Sequence, residues 1–367
     1  MHDRTMKFIL AVAAFICANL APVQAEDLSS YTHVCLGSMQ ASMTAGNMEI
    51  CKRLAESGLL NDAQRSTIYL QLAVAENDFA LMSRPVVGPN RARAYILMAM
   101  AINPQDPEPV LYLATNLSGE EPNAREEILA DGMKRMPSSA LLKAAAAAYG
   151  TFRLEQSAQL DMCVDALDKA PDDYRVEFYC AGVYQCQNLM APAKIVYERM
   201  LPQYKPHMKI SYGLVQFPAP HLQLAFVAEQ EKNYMAAVDY IRQFGRTDPL
   251  QPYPVQVHQM LANNLFEARH YSEAAVEYQA ILLRGATSDA EGVKARLVVA
   301  LMLAGDKKRA TELITPLLAG TGKGAILKYQ MQLQKYVAQN IVLNGLADRP
   351  TIDATRRCLD QGCKAKH

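Results

Sequence analysis

The sequence predicts an all-α fold, a solenoid of about six or seven stacked helical hairpins with a C-terminal capping helix. Three observations carry this. From about residue 61 onward, helix-compatible runs of about 12 to 16 residues alternate with short breaks. Examples are Asn103-Pro104-Gln105-Asp106-Pro107, Met136-Pro137-Ser138-Ser139, Ala170-Pro171-Asp172-Asp173 and Thr247-Asp248-Pro249; clusters of this composition stop helices. Alternating Val, Ile and Thr with hairpin turns, the mark of strands, is scarce. Finally, alanines recur at Ala193, Ala237, Ala274 and Ala310, spaced 44, 37 and 36 residues apart. A repeating period marks units that bury their apolar faces against their neighbours.

The N-terminal stretch bears on compartment. Arg4 and Lys7 precede an apolar run over residues 8–22, and Val23-Gln24-Ala25 supplies small residues for a signal peptidase, so residues 1–25 are expected to be a signal peptide cleaved near Ala25. At about 1.5 Å per residue the run falls short of the roughly 30 Å hydrocarbon core. Cys17 follows Phe15-Ile16 rather than small residues, which disfavours a lipid anchor. The remainder has no segment of some 18 apolar residues, so no stable membrane insertion is expected. Without Arg4, Lys7 and Asp3 the chain keeps 35 basic and 36 acidic residues. That balance lacks the basic patch on which nucleic-acid and anionic-lipid binding depend.

Beyond Cys17, seven cysteines remain, none in Cys-x-x-Cys spacing. In an exported chain they point to bridges rather than to zinc, haem or thiol exchange. Cys35 and Cys51 enclose a loop whose closure is worth about 3 kcal/mol in the chain-entropy account. Cys358 and Cys363 can close a small terminal loop. Cys163 and Cys180 stand about equally far before and after the turn near Asp172, which predicts a bridge between antiparallel helices and leaves Cys186 as a free thiol facing the groove. Cys186 lies too far along its helix to meet Cys163 instead. The competing reading keeps all three reduced, with buried thiols serving as small apolar groups.

The repeats are clearest in the second half. Leu224-Ala225, Leu261-Ala262 and Leu297-Val298 precede Ala237, Ala274 and Ala310, and Ile241, Tyr278 and Ile314 follow them. Small residues allow close helix approach and bulky ones fill the space toward the next hairpin. This pattern resembles the tetratricopeptide repeat, over about residues 71–318. Around Ala237 the resemblance assigns its roles to Leu224, Ala225, Ala237, Ile241 and Pro249, and around Ala274 to Leu261, Ala262, Leu265, Ala274 and Tyr278. His221, His258 and Lys294 replace the aromatic opening residue, and the spacings exceed the usual one, so the repeats are divergent. In the first half, Ala92, Ile96, Met100 and Pro104 read as one second helix, and Pro137 and Pro171 close two more. Cys35, Gly46-Asn47, Ile50-Cys51, Gly58 and Leu60 look like the opening of exported bacterial tetratricopeptide proteins, which commonly carry a cysteine pair.

The resemblance implies a right-handed α-solenoid whose concave face is lined by the first helix of each pair. Carried onto this chain, it implies Gly182 with Phe178 and Gln185, Phe226 with Leu222 and Gln230, Asn263 with Gln259 and Phe266, and Val299 with Ala295 and Met302. That set is apolar and amide-bearing, unlike a lysine-and-asparagine clamp for a terminal carboxylate, and suits an apolar helix or extended peptide of a partner. Alternatively, Phe226, Phe266 and Met302 pack inside the stack.

The domain boundaries follow. Residues 26–70 form a cysteine-containing helical segment, 71–201 divergent repeats, 202–220 a Pro-rich insertion, 221–318 further repeats, and 319–367 a capping helix and disulfide-closed tail. The capping helix is expected over residues 325–344, with Ile326, Leu327, Met331, Leu333, Val337, Ile341 and Val342 on its apolar face. Gly320-Thr321-Gly322-Lys323-Gly324 lacks phosphate-loop spacing, a hydroxyl residue after Lys323 and a preceding strand, and reads as a linker. No His-x-x-x-His or Gly-x-Ser-x-Gly occurs, and Cys186 has no local His partner. Acidic pairs such as Glu126-Glu127 suit helix starts. The expected function is a non-catalytic scaffold of the periplasm or secreted space, without cofactor or metal, that binds a protein or peptide partner of the envelope. The alternatives are an accessory subunit of an envelope enzyme complex and a small-ligand or glycan carrier.

Overall fold

The computed structural model describes residues 31–36, 45–83, 88–116, 123–150, 154–205, 219–247, 253–285, 288–319, 322–337 and 341–363. The proposed signal peptide and most of the Pro-rich insertion lie outside them. Among the described residues there are helices and no strand, which establishes the all-α class. No described helix is long and apolar enough to cross a membrane. The chain forms two compact units, one ending at Gln187 and one beginning at Asn188.

The first unit contains α1 (Thr32–Leu36), α2 (Ala45–Glu56), α3 (Asp62–Ser83), α4 (Gly88–Ile102), α5 (Pro107–Asn116), α6 (Ala124–Arg135), α7 (Ala140–Tyr149), α8 (Gln156–Lys169) and α9 (Tyr174–Cys186). Three of its helices, α3, α7 and α9, start where side chains satisfy free N–H groups. Asn61 and Gln64 cap each other reciprocally before α3, at 2.9 and 3.1 Å. Ser139 and Asp173 accept from Leu142 N and Arg175 N. Helices α4, α6 and α8 end just before Asn103-Pro104, Met136-Pro137 and Ala170-Pro171. Successive helices pack as hairpins, and α7 also packs on α5 and α9, so each first helix meets the first helix of its neighbours. Cys35 and Cys51, both fully buried, join α1 to α2.

Cys163 and Cys180 face each other across α8 and α9, but both are unbonded thiols, correcting the expected bridge. The Cys180 thiol is turned toward the Cys163 carbonyl oxygen, 3.6 Å away. The neighbouring Cys163, reinforced by burial, pushes the Cys180 thiol far above its usual range. That suppresses the thiolate through which exchange proceeds. The two sulfurs therefore serve as small buried groups, while Cys186 is exposed.

The second unit contains α10 (Met190–Met200), a 3-10 turn (Leu201–Gln203), α11 (Pro220–Gln230), α12 (Tyr234–Thr247), α13 (Val255–Glu267), α14 (Tyr271–Arg284), α15 (Ala290–Leu303), α16 (Lys307–Ala319), α17 (Lys323–Tyr336) and α18 (Arg349–Gln361). One register recurs through it. Ala193, Ala237, Ala274 and Ala310 are each the fourth residue of α10, α12, α14 and α16, and all are fully buried. Leu224-Ala225, Leu261-Ala262 and Leu297-Val298 are buried on the preceding helices, and Ile241, Tyr278 and Ile314 are buried after the alanines. Alpha-carbon packing this close leaves room only for a methyl group where two helices cross.

The turns inside these hairpins repeat as well. Lys232, Arg269 and Gly305 have φ of 59°, 67° and 79°, each two residues before the second helix begins. The following N–H groups, of Asn233, His270 and Asp306, donate to Ala228 O, Leu265 O and Leu301 O at 2.8, 2.8 and 2.9 Å. Lys232, Arg269 and Gly305 themselves donate to the carbonyls three residues back. This is the paired bonding of the Schellman motif, which satisfies the last carbonyls of a helix.

The C-terminal end departs from expectation. The capping helix stops at Tyr336 rather than continuing to residue 344, and a further helix, α18, follows. Ile326 and Leu333 are buried, but Met331 is exposed on α17 itself, and Val342 is exposed in the non-helical segment beyond it. Gln330, fully buried, holds the returning segment: its amide donates to Asn344 Oδ1, Leu346 O and Thr351 Oγ1, and its carbonyl accepts from Asn344 N and Gly345 N. Tyr329 is buried beside it, with its hydroxyl 2.8 Å from Thr355 Oγ1. Cys358 and Cys363 are bonded at the end of α18.

Candidate functional site

The first helices α11, α13, α15 and α17 contribute to an open recess of about 180 Å³ in the second unit. Its floor is the Asn263-Asn264 pair on α13. Asn263 Oδ1 receives three donors: Gln259 Nε2 at 3.0 Å, the Tyr278 hydroxyl at 2.9 Å, and Arg296 Nη1 from α15. Asn264, 1% exposed, donates its amide to Met260 O at 2.9 Å and to Glu229 Oε2 of α11 at 3.2 Å. At the rim, Glu267 Oε1 accepts from Lys335 Nζ at 3.0 Å and from the Tyr336 hydroxyl at 2.5 Å. The Lys335 ammonium lies 4.4 Å from the Tyr336 ring centre. Phe266 packs edge-on to Tyr336, with centroids 4.7 Å apart, and to Tyr271 at 5.2 Å.

These contacts set the electrostatics. Burial, then the hydrogen bond to the Glu267 carboxylate, pushes the Tyr336 phenol well above its usual range. Tyr278 rises too, through burial, with Arg296 opposing. Both phenols therefore remain neutral donors at any physiological pH. The site combines fixed amides, neutral phenols and opposite charges, an arrangement for holding a polar ligand group.

The sequence-predicted residues distribute unevenly about this recess. Gln259 and Asn263 are half-buried; Asn263 lines the recess, and Gln259 supports it from behind through its bond to Asn263 Oδ1. Phe266 lines it with one edge but is only 4% exposed, and Met302 is 3% exposed, so the packing alternative holds for both. Met302 is covered by α17, whose Tyr329 hydroxyl lies 3.7 Å from its sulfur. Val299 and Ala295 are fully buried, and Arg296, half-buried, is the residue of α15 that reaches the recess. Phe226 is 39% exposed on α11, with Leu222 half-buried and Gln230 exposed. Phe178, Gly182 and Gln185 lie on α9 in the first unit, all half-buried. Beside the amides and aromatic rings, the charged side chains of Glu229, Glu267, Arg296 and Lys335 line the recess. The repeat alignment selects none of these four; Glu267 lies one helical turn after Asn263, Glu229 three residues after Phe226 and Arg296 three residues before Val299, whereas Lys335 lies on α17, where no position was selected.

No protein-family profile matches the chain, and no curated protein matches it. Among solved structures, it is similar to PilF of Pseudomonas aeruginosa, with 15% identity and a TM-score of 0.44 over 61% of this chain and 94% of that one. It is also similar to the Cut9–Hcn1 hetero-tetramer of the APC/C, with 14% identity and a TM-score of 0.46 over 92% of this chain and 63% of that one. A third similar structure is a tetratricopeptide repeat protein from Parabacteroides merdae, with 11% identity and a TM-score of 0.41 over 72% of this chain and 99% of that one. The recurring alanine, turn and hairpin register of this chain is similar to the tetratricopeptide pattern that its sequence resembles.

Proposed function

We propose that this chain is a non-catalytic interaction scaffold, exported by a signal peptide cleaved after Ala25, that holds a segment of an envelope or secreted partner protein. The observation that carries this reading is the recess itself. Side chains from four successive first helices converge on it. Its most reactive-looking groups are tied to one another: Glu267 is held by Lys335 and Tyr336, and Arg296 by Asn263. A carboxylate so neutralised is a rigid recognition element rather than a base poised for proton transfer. Rigid amides and phenols on helices give a ligand group fixed partners at little ordering cost.

The experiment is affinity isolation of the processed protein from its own envelope extract, followed by mass spectrometry, beside an Asn263→Ala/Glu267→Ala variant. The expected result is a reproducible partner that the variant loses while keeping its thermal midpoint, and a processed N-terminus at Glu26. Turnover of a substrate by the purified chain alone, or equal capture by the variant, refutes the reading.

A further inference from the structure

We infer that the recess accepts a basic side chain of the partner, whose cationic N–H donors meet Glu229 and the carbonyl oxygen of Asn264. The inference rests on the scaffold reading and adds the chemistry of the bound group. Asn264 is 1% exposed, and its orientation is fixed because both neighbours of its nitrogen, Met260 O and Glu229 Oε2, can only accept. Its oxygen must therefore be an acceptor, and it is buried without any donor. Buried acceptors are almost always satisfied, so one carried by a residue that lines the recess marks the place of a missing donor.

Glu229 stands beside it and needs the same kind of group. Its side chain meets only the Asn264 amide, and it pairs with no cation among the described residues. The remaining charges of the recess are already engaged: Glu267 holds Lys335 and Tyr336, and Arg296 donates to Asn263. A carboxylate whose one donor is the Asn264 amide and a carbonyl with none, on adjacent first helices, call for a group with several N–H bonds and a positive charge. Arginine fits best, since its planar fork can address both oxygens at once. The recess of about 180 Å³ has room for a guanidinium and its adjoining methylenes, and Phe266, Tyr278 and Tyr336 supply aromatic wall.

The test is titration of the full chain with acetyl-arginine amide, which lacks terminal charges, against acetyl-glutamine amide and acetyl-glutamate amide, followed by NMR or calorimetry. The arginine probe is expected to saturate at millimolar concentration and to bind at least tenfold more tightly than either other probe. Glu229→Gln should weaken it at least tenfold with an unchanged melting point, Glu229→Lys should abolish it, and Glu312→Gln, on the exposed side of α16, should leave it unchanged. Equal binding of the glutamine probe, preference for the glutamate probe, or undiminished binding to Glu229→Gln overturns the inference. If partner capture persists while the arginine probe shows no preference, the inference fails and the scaffold reading stands. If the probe binds as described but no partner is captured, the scaffold reading fails and the site remains.

Discussion

The three hairpin turns at Lys232, Arg269 and Gly305 provide a controlled comparison of backbone strain. All are left-handed and bonded alike, yet only one is glycine. A left-handed residue with a Cβ costs roughly 1–2 kcal/mol, whereas glycine forfeits about 0.5–1 kcal/mol through the freedom of its unfolded chain. Lys232→Gly should therefore stabilise the protein by roughly 0.5–1 kcal/mol, and Gly305→Ala should destabilise it by a similar amount. A Cβ at Gly305 meets nothing within 4 Å, so the second change reads conformational cost without a clash. Lys232 is exposed, so little packing is lost with its side chain. In the thermal midpoint of a unit of this size the effects amount to about 1–4 °C, in opposite directions. Urea titrations should show shifted midpoints at unchanged slope. Destabilisation by Lys232→Gly equal to that of Gly305→Ala would refute the shared left-handed geometry.

Two further outcomes follow from the same architecture. Ala274, fully buried at a helix crossing, should tolerate enlargement poorly: Ala274→Leu is expected to cost about 1–3 kcal/mol or more, against a negligible effect of Val276→Leu, 58% exposed on the same helix, measured by chemical denaturation. His221 is 7% exposed, and burial lowers its pKa below the usual 6.5. Below pH 6.5 the unfolded chain takes up a proton that the folded chain refuses, so the stability contributed by neutral His221 is full above that pH and lost as the pH falls toward its folded pKa. Thermal midpoints between pH 7.5 and 5.5 should fall less steeply in His221→Phe than in the parent; identical slopes contradict the assignment.

The repeat register was legible because it is local. Ala237, Ala274 and Ala310, with their large-small partners, carry a steric requirement that no other residue type meets, and the structure buries each of them fully. The turns were less visible, because Lys232 and Arg269 occupy positions where the sequence signal is usually glycine. The recess was legible only in part. Asn263 and Gln259 follow from the repeat alignment, but Arg296 and Lys335 reach the site from α15 and α17, and that convergence depends on helices distant in sequence. Phe266 and Met302 were placed on the groove because helix periodicity fixes relative angles and not which neighbour covers a face. The packing of α17 on α15 decides the matter for Met302. The bridge assigned to Cys163 and Cys180 had the right proximity, but proximity does not set the direction in which a sulfur points.

The Gln330 network concentrates the integrity of the C-terminal end in one amide. Five hydrogen bonds to four residues between 344 and 351 depend on it, so the returning segment has few ways to loosen piecemeal. Its opening is a single cooperative event in which the strap and the seating of α18 are lost together, while the hairpins before α17 keep their own turns and crossings. In amide hydrogen exchange, Gly345, whose N–H is spent on Gln330, would report the same opening energy as residues of α18 rather than that of a fraying terminus. A terminus of this kind ends the repeat array as a latch does, shut or released.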